Sequence, residues 1–574
     1  MGAALESTFV DELPGERASA DPRTPRDVRG ALHSPCAPTP SASGATPEIA
    51  LVSPEMEAAL GLAPGEIRDN PLAAEYLAGA VALPGRRKPY AANYGGHQFG
   101  EWAGQLGDGR AITLGEIPPR VASGVPVVPR LDVQLKGAGA TPFSRDGDGR
   151  AALRSSLREF VAGEAMRGLG VPTTRCAALT LTGGGVLREH PDGLGGGALR
   201  MEAAAIVARV SPTFLRFGSF QLPPSRGKAE AEALVAPLVD YVLRHHMPAA
   251  REATLVDEED ATSDDKKSLP PALAMLRETV AATAHTAAAW QAFGFVHGVL
   301  NSDNMSVLGL TLDFGPFAFI ERFDPRFTPN LSDRDARYCY VNQPAACAWN
   351  LARLGDALVR AGALDEARAA EATAAFDATF RARYFERLSA KFGVACETDE
   401  DGAFLRRFLA LLAASGGDFT NAHRALGAIA DRAAAAADED PGAVGRAGFL
   451  SDDDALAPFF EPGRPAAFPD GLEDAALRAR WGDWIREYGA IIRREGRDPA
   501  ERRAEQDRAN PAYVARNHLL ARATEAAERR GDFRVAEALL EALRDPFVEK
   551  PGLEEWAEPA PAELARKPGV AAMT

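Results

Sequence analysis

The sequence is short of several things, and each shortage narrows the field. Cysteine is scarce: Cys36, Cys176, Cys339, Cys347 and Cys396 are the five in 574 residues, far apart, with no C-x-x-C and no histidine at ligand spacing. That excludes a disulfide framework and a zinc site. No apolar run approaches the roughly 20 residues that cross a bilayer, so a soluble chain is expected, without a membrane partner. Positive charge is in deficit, with 64 Lys and Arg against 80 Asp and Glu and a net charge of −16. Nucleic acid and anionic membranes both demand clustered positive surface, so neither is expected as a partner. The opening "MGAALESTFVDELPGERASADPRTPRD" has no apolar stretch and carries acids from the start, unlike a secretory signal or a transit peptide. Glu6 stands where a myristoylation motif wants Ser or Thr. A cytoplasmic location is the expectation, with a mitochondrial one only if a targeting segment is missing from this chain.

What is present reads as ordinary globular text, 46% hydrophobic and 25% charged, over a length that calls for several domains. Residues 1 to about 48 are rich in Pro, Ser and Gly without sustained periodicity, an extended or wrapping arm. "SPEMEAALGL" is helical, with Ser53 as cap and Pro54 in the first turn. From about Tyr90 to Phe220, β-type runs ("AITLGEI", "LDVQLKG", "CAALTLTGG", "AAAIVARV") alternate with glycine turns around one helix, "GRAALRSSLREFVAGEAMRGLG". "LVDEEDATSDDKKSLPPA" is a charged surface insertion, and beyond Pro344 nearly everything is helical until a loose tail from about residue 554.

Four stretches carry chemistry. "LGDGRAITLGE" reads as an Asp-Gly hairpin first, and as a phosphate-facing glycine turn (Gly107, Gly109, Arg110) second. The glycine-rich G-x-G-x-x-G loop is absent. "LDVQLKGAGATPFSRDGDGR" ends a β run on Lys136 and places four glycines between Lys136 and Arg150, a density that suits an anion cradle. The helix that follows has a stripe of Leu153, Leu157, Phe160 and Val161, and holds Glu159 in its middle, placed for an ion pair with Lys136. "ARVSPTFLRFGSF" offers Arg209 and Arg216, whose planar forks suit either phosphates or carboxylates. "HGVLNSDNMSVLGLTLDFG" is the most specific: Asn304 lies nine residues before the Asp313 of Asp-Phe-Gly, with two short β runs broken at Gly309 between them. A tight hairpin there would bring both to one cation, as kinase-type enzymes do with magnesium. The kinase pattern wants its catalytic Asp where this chain has Val299.

Read together, "NYGGHQFGEWAGQLGDGRAITLGE", "LKGAGATPFSRDGDGRAALRSSLREF", "GVPTTR", "FVHGVLNSDNMSVLGLTLDFGPFAF", "NPAYVARNHLLARA" and "DPFVEKP" closely resemble the selenoprotein O family of kinase-like proteins. The resemblance implies an α+β, protein-kinase-like bilobal fold with a large, mostly helical C-terminal region. It divides into an N-terminal arm and helix (1–89), a nucleotide-binding N-lobe (90–220), a C-lobe with the catalytic and metal motif (221–350), and a helical region with a loose tail (351–574). It implies a monomer that binds ATP in a flipped orientation and transfers AMP, not the γ-phosphoryl, to Ser, Thr or Tyr hydroxyls of proteins. Carried over by position, Gly107, Gly109, Arg110, Lys136, Asp148, Gly149, Arg209, Arg216 and Asp313 match nucleotide contacts, with Glu159 as the partner of Lys136. Asp303 matches the proton acceptor, and Asn304 and Asp313 the ligands of Mg2+, with Mn2+ as an alternative. The family often carries a selenocysteine or cysteine near its C-terminus; this chain departs from that pattern, with no Cys after Cys396, which puts redox control through a terminal chalcogen in doubt. A conventional kinase, transfer of UMP, and an ATP-binding scaffold without activity remain the alternatives.

Overall fold

The computed structural model describes residues 5–17, 21–39, 41, 45–82, 88–118, 120–122, 125–128, 130–189, 199–255, 269–396, 399–439, 455–460 and 465–565. The charged insertion falls largely on 256–268, outside the described residues. The strands are β1 (His33–Pro35), β2 (Glu48–Val52), β3 (Tyr90–Ala92), β4 (Gly95–Gln98), β5 (Glu101–Gln105), β6 (Ala111–Ile117), β7 (Arg120–Ala122), β8 (Val125–Val128), β9 (Leu131–Lys136), β10 (Arg175–Glu189), β11 (Leu199–Ser211) and the short pair β12 (Phe295–Val296) and β13 (Ala318–Phe319). Seven of them form one antiparallel sheet in the order β1-β3-β6-β9-β11-β10-β2. The chain is therefore mixed α/β, a sheet with helices on both faces followed by a long helical half.

Period-two alternation sorts the sheet's side chains between two cores. Ala205 and Val207 of β11 join the helix Leu153–Gly168, whose Leu153, Leu157, Phe160 and Val161 are all buried, together with the helix Pro271–Phe293. Ile206 and Ala208 point the other way and meet Met56, Ile67 and Leu77 from the short N-terminal helices. Burial on both faces explains why these runs read as continuously apolar. The Ser53 cap holds as read: Ser53 Oγ accepts from Met56 N at 3.4 Å, with Pro54 opening Pro54–Leu60.

A separate aromatic core lies in the helical half, where Phe392, Phe404, Phe408, Trp481, Trp484 and Tyr488 pack between Glu366–Phe392, Asp399–Ser415 and Ala475–Glu495. Beside it the guanidinium of Arg516, fully buried, donates to Asp418 Oδ2 at 2.7 Å and Oδ1 at 3.1 Å, to Asn421 Oδ1, to the Ala557 carbonyl and to Glu321 Oε2 at 3.4 Å. Among the described residues no helix is long and apolar enough to cross a membrane.

Two readings differ from the structure, and a third gains detail. The arm is extended and wraps: β1 within it and β2 at its end close opposite edges of the sheet. Its remaining residues bond across the molecule, Gln105 Oε1 accepting from Val28 N, Arg226 Nη1 donating to the Val28 carbonyl and Arg150 Nη1 to the Thr39 carbonyl. The Asp-Gly at 108–109 is not a hairpin turn, because β5 pairs with β4 while β6 pairs with β9; it hands the chain from a small ribbon to the main sheet. Up to Ala560 the tail is packed, with Trp556 buried (3% exposed) under the guanidinium of Arg522, 5.0 Å from the ring centre.

Candidate active site

The site begins with register. In the antiparallel pair β9–β11, Arg209 stands opposite Gln134 and Val207 opposite Lys136, so Gln134, Lys136 and Arg209 converge at one end of the sheet. The helix Leu153–Gly168 brings Glu159 against them. Lys136 Nζ lies 2.7 Å from Glu159 Oε2, and Arg209 Nη1 lies 3.2 Å from Glu159 Oε1, while Arg209 Nη2 donates to Gln134 Oε1. Both cations then reach Asp313 Oδ1, Lys136 at 3.2 Å and Arg209 at 2.5 Å. Arg216, at the N-terminus of the helix Phe217–Ser225, donates from Nη1 to Asp313 Oδ2 at 2.5 Å. One carboxylate thus faces three cations. Burial alone would raise its pKa; the charges of Arg216, Lys136 and Arg209 outweigh burial and hold it well below the usual carboxylate range. Asp313 also sits at φ +59°, a left-handed conformation that costs about 1–2 kcal/mol outside glycine, and its ion pairs help to hold it there.

The stretch from Asn304 to Asp313 does not pair with itself. Ser302–Asn304 is a single 3-10 turn, Ser306 bridges to Arg216, and Thr311 bridges to Thr173. Pairing with two different neighbours replaces the expected hairpin, yet it delivers the same juxtaposition: Asn304 Oδ1, at 3.3 Å, and Asp313 Oδ2 share the Nη1 of Arg216. His297, buried, donates through Nε2 to the Leu312 carbonyl at 3.0 Å and ties the head of the motif to its end.

Two glycine turns form the opposite wall. Gly107 has φ +68°, and a Cβ there would meet the Phe143 ring at 2.2 Å. Gly149 has φ +68° as well, and its Cβ would lie 2.1 Å from the carbonyl of Gly139. That contact closes the loop 137–150 on itself, with Ala138 bridging Arg150 and Gly139 N donating to the Gly149 carbonyl at 3.1 Å. Asp148, exposed, is gripped by both Nη atoms of Arg188 at 2.7 and 2.9 Å. These walls enclose a cavity of about 550 Å³, within the range of small-ligand pockets. It is lined by seven basic side chains and four carboxylates, the reverse of the chain's overall balance, and by Gly109, Arg110 and Val299. Arg110 and Arg145 are exposed there and make no ion pair among the described residues.

Asp303 borders the same cavity. Its Oδ2 accepts from Gln98 Nε2 at 3.3 Å, while Oδ1 is buried without a partner among the described residues. Burial pushes its carboxyl up to about 6, against the pull of Arg216. The β4–β5 ribbon clamps this turn: His97 N donates to Ser302 Oγ at 2.7 Å, Phe99 N to Asn301 Oδ1 at 3.1 Å, and a Cβ on Gly96 would stand 2.8 Å from Asp303 Oδ1.

Every residue singled out in the sequence lies on this cavity except Glu159, which sits behind it under Lys136 and Arg209. Gln134, Asp108 and Gln98 went unread. Gln134 left a signal, a polar residue two before Lys136 and so on the same face of an apolar strand. Asp108 is buried, accepting from Tyr94 Oη and Gln134 Nε2, each at 3.2 Å, which separates it from the glycines on either side. Among the described residues no group of three or more His, Cys, Asp or Glu side chains is arranged to hold a metal ion. Asn304 and Asp313 offer two hard oxygens, the donor type that magnesium takes.

A basic cavity in a strongly acidic mixed α/β chain, built around one carboxylate and three cations, is a site suited to an anionic ligand. The family described as protein adenylyltransferase SelO matches residues 39–544, and the chain belongs to that family. It is 39% identical to a protein named protein nucleotidyltransferase YdiU from Methylobacillus flagellatus, over 98% of each chain. It is 40% identical to another of that name from Nitrosospira multiformis, over 100% of this chain and 96% of the relative. The chain is accordingly a nucleotidyltransferase.

Proposed function

We propose that the enzyme transfers the AMP moiety of ATP to Ser, Thr or Tyr hydroxyls of proteins and releases pyrophosphate, on a protein-kinase-like bilobal fold divided as the sequence suggests. The observation that carries this reading is Asp313, held by Lys136, Arg209 and Arg216 on the wall of a basic cavity that Asp303 also borders. The acceptor oxygen bonds to the α-phosphorus, the bond from that phosphorus to the bridging oxygen breaks, and pyrophosphate leaves. Asp303, with a free Oδ1, takes the hydroxyl proton; a carboxyl raised to about 6 is ionised at neutral pH and more basic than an ordinary one. Lys136, Arg209 and Arg216 neutralise the charge that gathers on the phosphate oxygens, and Gly107, Gly109, Arg110, Asp148 and Gly149 position the nucleotide. Asn304 and Asp313 would hold Mg2+, or Mn2+, which when bound supplies further charge neutralisation on the phosphates. Val299 in the cavity, where a kinase has its Asp, speaks against γ-phosphoryl transfer.

Parallel incubation with α-labelled and γ-labelled ATP tests the proposal, with α-labelled UTP as a third arm. Label from the α position and a mass gain of one AMP are expected. Incorporation from the γ label alone identifies a kinase, and none from any label leaves a nucleotide-binding scaffold.

A further inference from the structure

A second cavity, of about 380 Å³, lies on the far side of the β4–β5 ribbon. It is lined by His97, Trp102, Gln221, Arg353, Asp356 and Arg360 among others. Its hydrogen-bonding groups are in surplus on the donor side. Gln221, only 4% exposed, has an Nε2 that meets no hydrogen-bond acceptor at bonding distance among the described residues; the Nε of Arg353 has none either, and the Nδ1 of His97, beside Gln221, is the third open atom. The one carboxylate, Asp356, is already engaged by Arg353 at 2.9 Å, and Arg360 is exposed without an ion pair among the described residues. Buried donors left open cost about 1–3 kcal/mol each, and an anion entering this cavity would recover that cost.

The two cavities share a wall. His97 faces the second and its neighbour Gln98 the first, as successive residues of a strand must. Ser302, next to Asp303, donates to Gln221 Oε1 at 2.7 Å and accepts from His97 N. Whatever occupies the second cavity therefore sits one ribbon away from the acceptor side of Asp303. A strand with its side chains is about 10 Å thick and an extended peptide advances about 3.3 Å per residue.

Resting on the nucleotidyl-transfer reading above, we propose that this cavity binds an acidic side chain of the protein substrate, within about four residues of the modified hydroxyl. Trp102 supplies an apolar wall for the carboxylate's stem, while Arg360, Arg353 and Gln221 take its oxygens. The site selects acceptors whose Ser, Thr or Tyr is flanked by Asp or Glu.

The test uses the full chain, α-labelled ATP and three synthetic peptides, each with one Ser, one Thr and one Tyr, flanked by Glu, Ala or Lys. The KM for the Glu peptide is expected to be about tenfold below that for the Ala peptide, and lowest efficiency falls to the Lys peptide. The double variant Arg353→Ala, Arg360→Ala raises the Glu-peptide KM about tenfold while the KM for ATP stays put. Arg360→Glu, a change on an exposed side chain, shifts preference toward the Lys peptide. Equal labelling of the three peptides, or self-labelling of the chain without labelling of any peptide, overturns the inference and leaves nucleotidyl transfer standing. So does binding of inorganic phosphate that is lost in the double variant while peptide KM values do not move, because that describes a small-anion site. Absence of all label, self-labelling included, overturns both readings.

Discussion

Two buried charge clusters in this molecule are near mirror images. At the sheet end, one carboxylate (Asp313) is surrounded by three cations; in the helical half, one cation (Arg516) is surrounded by two carboxylates and two further acceptors. The Arg516 cluster is sealed, with both Arg516 and Asp418 at 0% exposure. The Asp313 cluster opens on a cavity. Closed clusters are spent on holding elements together, whereas a cluster with surplus charge facing open space is poised for a ligand of opposite sign.

Breaking each cluster should therefore read out differently. Asp313→Asn is expected to lower transfer by on the order of 10⁴-fold, about 5.5 kcal/mol, measured as label incorporated per folded molecule. Arg516→Met strands Asp418 and should cost about 3–5 kcal/mol of stability, seen in denaturant unfolding, with transfer per folded molecule retained; adding Asp418→Leu should restore much of it. If Asp418→Leu leaves Arg516→Met as unstable as before, the helical cluster is not a simple structural pair. Arg209→Lys keeps the charge but loses the fork that spans Gln134, Glu159 and Asp313, and about a 10²-fold loss of transfer is expected, with a smaller change in melting temperature.

The smallest effect concerns a cation with no ion pair among the described residues. Lys391 is buried, its Nζ 5.6 Å from the Phe293 ring centre, and burial, aided by Arg387, brings its pKa down to about 7. Its folded value lies below its unfolded one, so the unfolded chain binds more protons between about pH 7 and the ordinary lysine value, and stability rises with pH across that window. Lys391→Met should raise the melting temperature by a few degrees at pH 6–7, with the gain shrinking toward pH 10. An equal gain at both pH values would show that the lysine titrates alike in the folded and unfolded chain, so that burial does not lower its pKa.

Much of this was readable because the relevant patterns are local. The runs at 111–117 and 131–136, the stripe of the helix Leu153–Gly168 and the Ser53 cap all follow from spacing within a few residues. Lys136, Glu159, Arg209, Arg216, Asp303, Asn304 and Asp313 were visible as residue types in motifs. Their common meeting point followed from the family resemblance and not from local spacing, because it depends on the β9–β11 register and on Ser306 and Thr311 bridging to separate segments. The edge strands were hidden for the same reason: His33–Pro35 has three residues and a proline, and only Tyr90–Ala92 makes it a strand. The β4–β5 ribbon hid its role too, since nothing local says that Gly96 must be small to admit Asp303.

The arm that closes the sheet has a consequence in time. Thr39 bonds to Arg150, 111 residues later, and Thr8 to Tyr241, 233 residues later. At synthesis rates of about 5–20 residues per second, Thr39 waits roughly 6–22 seconds for its partner to be made. Residues made well before their partners are thus among the later ones to find a place, and the glycine-rich loop 137–150 acquires its outer brace only when that older segment folds back over it.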